Sequence, residues 1–353
     1  MARGEDLSLI QSIVYRLPDG EIAGNERAAE WVDLEGLPFP DWNMVDYRKY
    51  GYTILKKKPM VSIMTSRGCP NQCIYCTKLV HGHELRMRSV QNVVDEIERD
   101  HIEYGVREIQ FMDDNLTASV PRLKEICEEI IRRGLNRKAV FGIPSGIRPD
   151  RGDREMFRLM KRAGFYFVVI SVETADGEVS SKLRRGVDLD KVRSMISLAR
   201  RAGLVVSTFY IFGTPFDTSA SMRRSTDFAC KSDANILSIF FMLPFPGTDV
   251  HDMLVKEGKI EPEDGEASLS YIGMKPVFEA NDWTGDDLIA ITRRAYKRFY
   301  FSPRRIVMNL FRLPEAFRNP LVLLLMLLKL FFHGTPVHER REQLKPHSRF
   351  MPL

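Results

Sequence analysis

Cysteine is scarce in this chain: there are five in 353 residues, and three of them, Cys69, Cys73 and Cys76, fall within eight positions. That distribution excludes a disulfide-stapled scaffold, which spreads an even set of cysteines over a short chain. No apolar run reaches the about 20 residues that cross a bilayer. The longest, Leu321 to Phe332, has twelve residues and is interrupted by Lys329. It fits a buried or partner-facing helix best, then a helix lying on a membrane surface, and a span least. The first ten residues are polar and lack the apolar stretch of a secretory leader. No internal repeat or low-complexity tract stands out, and the net charge of +5 is spread along the chain, so nucleic acid is not an expected partner. Neighbouring thiols that have to stay reduced point to the cytoplasm, with peripheral membrane contact through Leu321 to Phe332 as an open addition.

What is present is a rhythm. Residues 1–58 are turn-rich, with Pro18-Asp19-Gly20 and Leu37-Pro38-Phe39-Pro40, and are expected to form a connector arm. From Pro59 onward, strand-like apolar runs at 60–65, 108–112, 139–144, 167–172, 205–212 and 236–243 alternate with amphipathic helical stretches. Those stretches lie at 90–104, 120–133, 154–163, 190–202, 221–231 and 249–256. Gly105, Gly134, Gly164, Gly203 and Gly258 stand where helices end. Such a series predicts an α/β fold with a parallel sheet and right-handed crossovers. Six units are too few to close an eight-stranded barrel, so the expectation is a partial, TIM-like (β/α)6 barrel over 59–258. A mostly helical extension with an apolar helix is expected over 259–353. Active sites of such sheets gather at the C-terminal ends of the strands, where the cysteine loop lies.

That loop is Ser66-Arg67-Gly68-Cys69-Pro70-Asn71-Gln72-Cys73-Ile74-Tyr75-Cys76, with spacing C-x3-C-x2-C. Thiolates are soft ligands suited to iron–sulfur clusters. Three thiolates leave one iron of a four-iron cluster without a protein ligand, the open position that a catalytic metal keeps. A zinc site completed by His81 or His83 is the alternative. Cys127 and Cys230 stand alone on helices as core thiols, and the seven histidines offer no catalytic pair.

The motif, with Tyr75 in the aromatic position before the last cysteine, resembles the signature of the radical S-adenosylmethionine (SAM) superfamily. The resemblance implies a 4Fe-4S cluster on Cys69, Cys73 and Cys76, with SAM on the open iron. It also implies reductive cleavage of SAM to a 5′-deoxyadenosyl radical that attacks a C–H bond. Further stretches are similar to family motifs at strand ends. Asp113 and Asp114 are candidates for the SAM amino group, against a helix-capping role. Glu173, in Ser171-Val172-Glu173-Thr174, is the candidate for the ribose hydroxyls, and Arg185 for orienting the site. Gly213 falls where the family lays adenine against backbone, and Asp217 stands where the family has a glutamate. Pro244-Phe245-Pro246-Gly247-Thr248 is a substrate-side element or a plain turn before a helix. Ser89 is expected to cap the first long helix.

Over about 60–310 the chain is most similar to the cobalamin-dependent subgroup, which includes radical methyltransferases, hopanoid-pathway enzymes and the anaerobic magnesium-protoporphyrin monomethyl ester cyclase. The arm resembles that subgroup's connector, but no Asp-x-His-x-x-Gly cobalamin motif occurs. Cobalamin supplied by a separate protein, a chain that is part of a longer enzyme, and a lineage without cobalamin all stay open. The leading functional expectation is a radical SAM enzyme acting on a small, lipid-like molecule, favoured by Leu321 to Phe332 and the basic stretch Arg298 to Arg312. A reducing partner such as a flavodoxin or ferredoxin goes with it. The alternatives are an RNA- or protein-modifying radical SAM enzyme, such as a methylthiotransferase, and a non-catalytic metal-binding protein.

Overall fold

The computed structural model describes residues 6–26, 31–51, 55–261 and 276–310. The chain divides into two compact units, residues 1–39 and 40–353. The first contains a small hairpin in which β1 (Val14–Arg16) pairs antiparallel with β2 (Ile22–Gly24). The Pro18-Asp19-Gly20 turn joins them, with Asp19 accepting from the Glu21 amide at 3.0 Å. So a short stretch of the expected arm has regular structure of its own.

The second unit holds the strand–helix series. β3 (Met60–Ile63) leads into the cysteine loop, whose stem is the antiparallel pair β4 (Ser66–Arg67) and β5 (Arg86–Met87). Then follow α1 (Val90–Tyr104), β6 (Glu108–Phe111), α2 (Val120–Arg132), β7 (Val140–Ile147), α3 (Arg154–Arg162) and β8 (Phe165–Glu173). After them come α4 (Gly177–Lys182), α5 (Leu189–Arg201), β9 (Val205–Phe212), α6 (Ser219–Lys231), β10 (Ile236–Phe241) and α7 (Asp249–Lys256). Six strands form one parallel sheet in the order β3-β6-β7-β8-β9-β10. Each strand is laid beside the one before it, as in an incomplete barrel, and this is the fold expected from the alternation.

The helices start and stop where local chemistry dictates. Ser89 accepts from the Asn92 amide at the start of α1, and Gly105, at φ 64°, ends it. Asp153 caps α3 and Thr248 caps α7 in the same way. Two elements depart from expectation. β7 continues past Pro144 to Ile147 because a register shift against β8 absorbs the interruption. The helix α4 has only six residues, too few for apolar periodicity to reveal it.

One large core lies between the sheet and its helices and includes Phe111, Phe141 and Phe165, whose rings contact one another. Each such buried ring contributes about 1.5–3 kcal/mol. A smaller cluster, Tyr166, Phe167, Val169 and Val205, fills the lower concave face. Below it the buried Glu108 accepts from the Lys56 and Lys57 amides, the Tyr166 hydroxyl and the Gln110 amide, which closes that end.

The free edge of β10 is covered by the helix Gly285–Tyr300. Tyr296 Oη accepts from the Ile239 amide at 2.9 Å, and Tyr300 Oη from the Leu237 amide at 3.0 Å. Two hydroxyls thus replace the hydrogen bonds of a missing seventh strand. A shorter helix, Pro303–Leu310, follows. The apolar run Leu321 to Phe332 and Arg312 lie outside the described residues. Among the described residues, no helix is long and apolar enough to cross a membrane.

Candidate active site

The cysteine loop leaves the C-terminal end of β3 and is held down at several points. Thr65 donates its amide (3.1 Å) and hydroxyl (2.7 Å), and Ser66 its hydroxyl (2.6 Å), to Oδ1 of Asp113 at the end of β6. Arg122 of α2 donates to the carbonyls of Thr65 and Arg88, which tie the stem to the sheet. Gly68 has φ +88°, and a Cβ there would lie 1.9 Å from the Glu84 carbonyl oxygen. Only glycine permits this crossing of the two limbs of the loop. The Gly68 amide donates to Asp114 Oδ2 at 2.8 Å, and His81 Nδ1 lies 2.9 Å from the same oxygen.

The acidic pair therefore divides its work. Asp113 is fully buried and serves as an anchor behind the wall, while Asp114 is turned toward the opening. Asp114 lines the cavity and Asp113 does not; Asp113 Oδ1 accepts three hydrogen bonds, while its Oδ2 is buried without a partner among the described residues.

Within the loop, a cavity of about 180 Å³ opens at the C-terminal ends of β6, β7 and β8. Cys69, Cys73 and Cys76 line it together with Tyr75, Asp114, Glu173 and Arg185. Of the residues assigned from sequence to the cluster or to SAM, Asp113 and Gly213 do not line it. Gly213 has φ +73°, and a Cβ there would meet Leu288 at 2.6 Å and Trp283 at 3.4 Å. Its left-handed backbone favours glycine, and the Leu288 side-chain end from the helix Gly285–Tyr300 packs over it, a contact invisible in local sequence. Asp217 accepts from the Thr214 amide (3.0 Å) and the Ser221 hydroxyl (2.6 Å), and burial pushes its carboxyl up to about 6. The 244–248 segment serves as the turn that caps α7. Cys127 is buried in the core and Cys230 is half-buried on α6.

The polar side of the cavity is strained and incompletely satisfied. Glu173, the last residue of β8, has φ +67°, a left-handed conformation that costs a side-chain-bearing residue about 1–3 kcal/mol. A register shift at Ser171/Glu173 accompanies it. Among the described residues, nothing hydrogen-bonds the Glu173 carboxylate. Its nearest cation is Arg185 Nη2 at 3.7 Å. Burial pushes the Glu173 carboxyl up, opposed by Arg185 and Arg148. Arg185 is itself buried, donates to the Ser171 carbonyl, points Nη1 at Cys73 Sγ (3.9 Å), and leaves Nε without a partner.

Arg148 was not foreseen. It follows β7 and lines the cavity, pairs with Asp150 through two bonds of 2.9 and 3.0 Å, and donates to the Arg185 carbonyl at 3.2 Å. Its position at a strand's C-terminal end was the signal available. Asn71 and Asn115 were also missed. Their amides point at Cys69 Sγ, at 3.1 and 3.9 Å.

The donor set fits a thiolate-bound cluster: three soft ligands line one cavity and amide and guanidinium N–H groups face two of the sulfurs. Among the described residues, no three His, Cys, Asp or Glu side chains, the three thiols included, converge as ligands of a single ion. The two histidines of the alternative zinc site are engaged elsewhere. His81 is engaged by Asp114, and His83 lies 3.2 Å from Lys78.

Comparison with known proteins agrees with this chemistry. The family model described as the radical SAM superfamily matches residues 63–229. An uncharacterized methyltransferase of Pyrococcus horikoshii is 24% identical over 88% of this chain and 66% of its own length. The cytidylyl-2-hydroxyethylphosphonate methyltransferase of Streptomyces wedmorensis is 29% identical over 68% of this chain and 47% of its own length. The anaerobic magnesium-protoporphyrin IX monomethyl ester cyclase of Rubrivivax gelatinosus is 24% identical over 84% and 52%. The chain thus spans between about half and two thirds of these curated relatives.

Among solved structures, the cobalamin-dependent SAM radical enzyme OxsB with aqua-cobalamin bound superposes with a TM-score of 0.68. It has 14% identity and covers 94% of this chain and 53% of that one. The radical SAM methyltransferase TsrM of Kitasatospora setae, with tryptophan and a SAM analogue bound, gives 0.59 at 20% identity over 72% and 50%. With its three thiols on one cavity at the strand ends of a six-stranded partial barrel, this chain carries a radical SAM domain, matched over residues 63–229, and the named relatives that share it are enzymes.

Proposed function

We propose that the chain is the catalytic core of a radical SAM enzyme that activates a C–H bond of a small substrate for methylation, cyclisation or rearrangement. Cys69, Cys73 and Cys76 are assigned as the protein ligands of a 4Fe-4S cluster. One observation carries the assignment: the three thiols share a cavity with a largely buried carboxylate, Glu173, that nothing among the described residues hydrogen-bonds. When bound, the cluster and SAM supply a one-electron cleavage of the sulfonium that yields a 5′-deoxyadenosyl radical.

The chain's own residues position and shield. Asn71, Asn115 and Arg185 direct N–H groups at the cysteine sulfurs, which stabilises charge on thiolates and tunes a bound cluster. Glu173 offers two free oxygens to a pair of neighbouring hydroxyls, the ribose of SAM. Burial pushes that carboxyl up, and the positive charges of Arg185 and Arg148 oppose the rise. Asp114, at the rim, accepts from the SAM ammonium. Tyr75 walls the cavity beside the cysteines.

Cobalamin is part of the proposal as a cofactor delivered by a separate protein, supported by its presence in the solved relatives. A flavodoxin- or ferredoxin-like reductant and a cytoplasmic setting go with thiols that must remain reduced. The test is anaerobic cluster reconstitution with and without cobalamin, followed by assay of deoxyadenosine and of methyl consumption from SAM. Deoxyadenosine without added cobalamin, and methyl transfer only with it, is the expected pattern. Absence of deoxyadenosine in both arms contradicts the assignment.

A further inference from the structure

The concave face of the half-barrel is divided by charge. Alternation along a strand sends one set of side chains to the helices and the other to the concave side. Tyr210 and Phe212 of β9 and Ile239 of β10 lie in the large core under the helices. Phe209, Ser238 and Phe240 therefore face the other way, Phe209 against the smaller cluster, and Ile211 beside them at the rim also packs against the large core.

These four form a shelf continuous with the cavity. Phe209 is the cross-strand partner of Ser171, which lines the cavity. Ser238 pairs with Phe209, and Phe240 with Ile211. The Phe209 and Phe240 rings meet edge to face at 5.0 Å, and all four residues are only half-buried. Across the concave side, Met112 follows β6 at 41% exposed.

The ionic groups of the site lie elsewhere. Asp114, Arg148, Glu173 and Arg185 all sit at the ends of β6–β8 or after α4, and Lys78 in the cysteine loop. Lower on the concave side, Glu108 is buried and its oxygens are already engaged. A charged group laid on the shelf would lose water, and neither β9 nor β10 carries a charged side chain to compensate it, whereas hydrocarbon placed there gains by burial. Half-buried aromatic rings bordering a polar cavity are the usual make-up of a small-molecule site.

We infer that Phe209, Ile211 and Phe240 form the substrate wall, and that the substrate presents an uncharged, hydrocarbon-rich portion to it. Any ionic group of the substrate points away from β9 and β10. This inference rests on the proposed function for its placement, since the attacked C–H bond must lie beside the cavity.

The test needs neither iron nor SAM. The full chain is titrated with N-phenyl-1-naphthylamine, a neutral aromatic probe whose fluorescence rises in apolar surroundings. Saturable binding is expected, weakened at least about tenfold by Phe209→Asp or Phe240→Asp and retained within about twofold by Phe240→Leu. Cytidine monophosphate should not displace the probe. Circular dichroism checks each variant, and Phe240→Ser replaces an aspartate variant that does not fold. Three results overturn the inference: no saturable uptake by the unaltered chain, which includes a shelf covered by another segment; uptake indifferent to both aspartates; or displacement by the nucleotide at concentrations near the probe's own. A chain that binds the probe as described but makes no deoxyadenosine from SAM sinks the catalytic proposal and leaves the shelf standing.

Discussion

Gly68 gives the sharpest structural test, because a single methyl group separates two physical effects there. Alanine at a left-handed position costs about 1 kcal/mol or more for the backbone alone. At Gly105, with φ +64°, a Cβ would meet nothing within 4 Å, so Gly105→Ala incurs only that cost. In a chain of this size it should lower the melting temperature by about 1–2 °C and leave iron uptake untouched. At Gly68 the added carbon would lie 1.9 Å from a backbone carbonyl oxygen, more than 1 Å inside van der Waals contact. Backbone cannot swing aside as a side-chain end can, so the loop limbs must separate. Cys69, the next residue, moves with them. A penalty of only about 1.4 kcal/mol on the ligand-ready conformation lowers its population tenfold. Gly68→Ala should therefore take up under about a tenth of the iron bound by the unaltered chain, with a melting temperature close to that of Gly105→Ala. Iron per chain and the visible cluster absorbance after anaerobic reconstitution read this directly. Full iron content and full deoxyadenosine formation by Gly68→Ala would refute the loop crossing.

Other consequences can be checked separately. Glu173→Gln removes a charged acceptor worth about 1.5–3 kcal/mol per hydrogen bond, so SAM affinity measured by calorimetry should fall by about one to two orders of magnitude; unchanged affinity removes Glu173 from the ribose role. Asp217 holds its proton more tightly when folded, so its stabilising contribution is complete below about pH 4 and lost as pH rises through about 6. Asp217→Asn should accordingly gain stability over the unaltered chain across that window, by at most about 3 kcal/mol, and denaturant melts at pH 4 and 7 showing a constant difference would contradict the burial assigned to it. Tyr296→Phe leaves the Ile239 amide at the sheet edge without its acceptor, at a cost of about 1–3 kcal/mol, and should speed hydrogen exchange at that amide. Unaltered exchange would mean that the hydroxyl does not cap the edge.

Much of the fold was legible because local chemistry and tertiary packing agree. α1 and α7 begin and end where Ser89, Gly105 and Thr248 demand. The cysteine loop was legible because three thiols at fixed spacing admit few chemistries. What was hidden depends on partners distant in sequence. Asp113 and Asp114 are equivalent on paper, and only the approach of Thr65 and Ser66 makes one an anchor. Gly213 has a left-handed backbone that lies under Leu288, seventy-five positions on, a neighbour the local sequence does not show. Arg148 carries no motif, and its importance comes from the Asp150 pair that aims it at Arg185. The strained φ of Glu173 is likewise a tertiary effect, since the sequence at that point continues as a strand.

The central claim is that Cys69, Cys73 and Cys76 hold a cluster whose free iron takes SAM. It is tested most directly by reconstituting the chain anaerobically, reducing it with dithionite in the presence of SAM, and measuring iron and 5′-deoxyadenosine together. The prediction is about four irons per chain with deoxyadenosine formed, both lost in each single Cys→Ala variant and kept in Cys127→Ser and Cys230→Ser. Zinc in place of iron with no deoxyadenosine, or a cluster that survives loss of one of the three thiols, would contradict it.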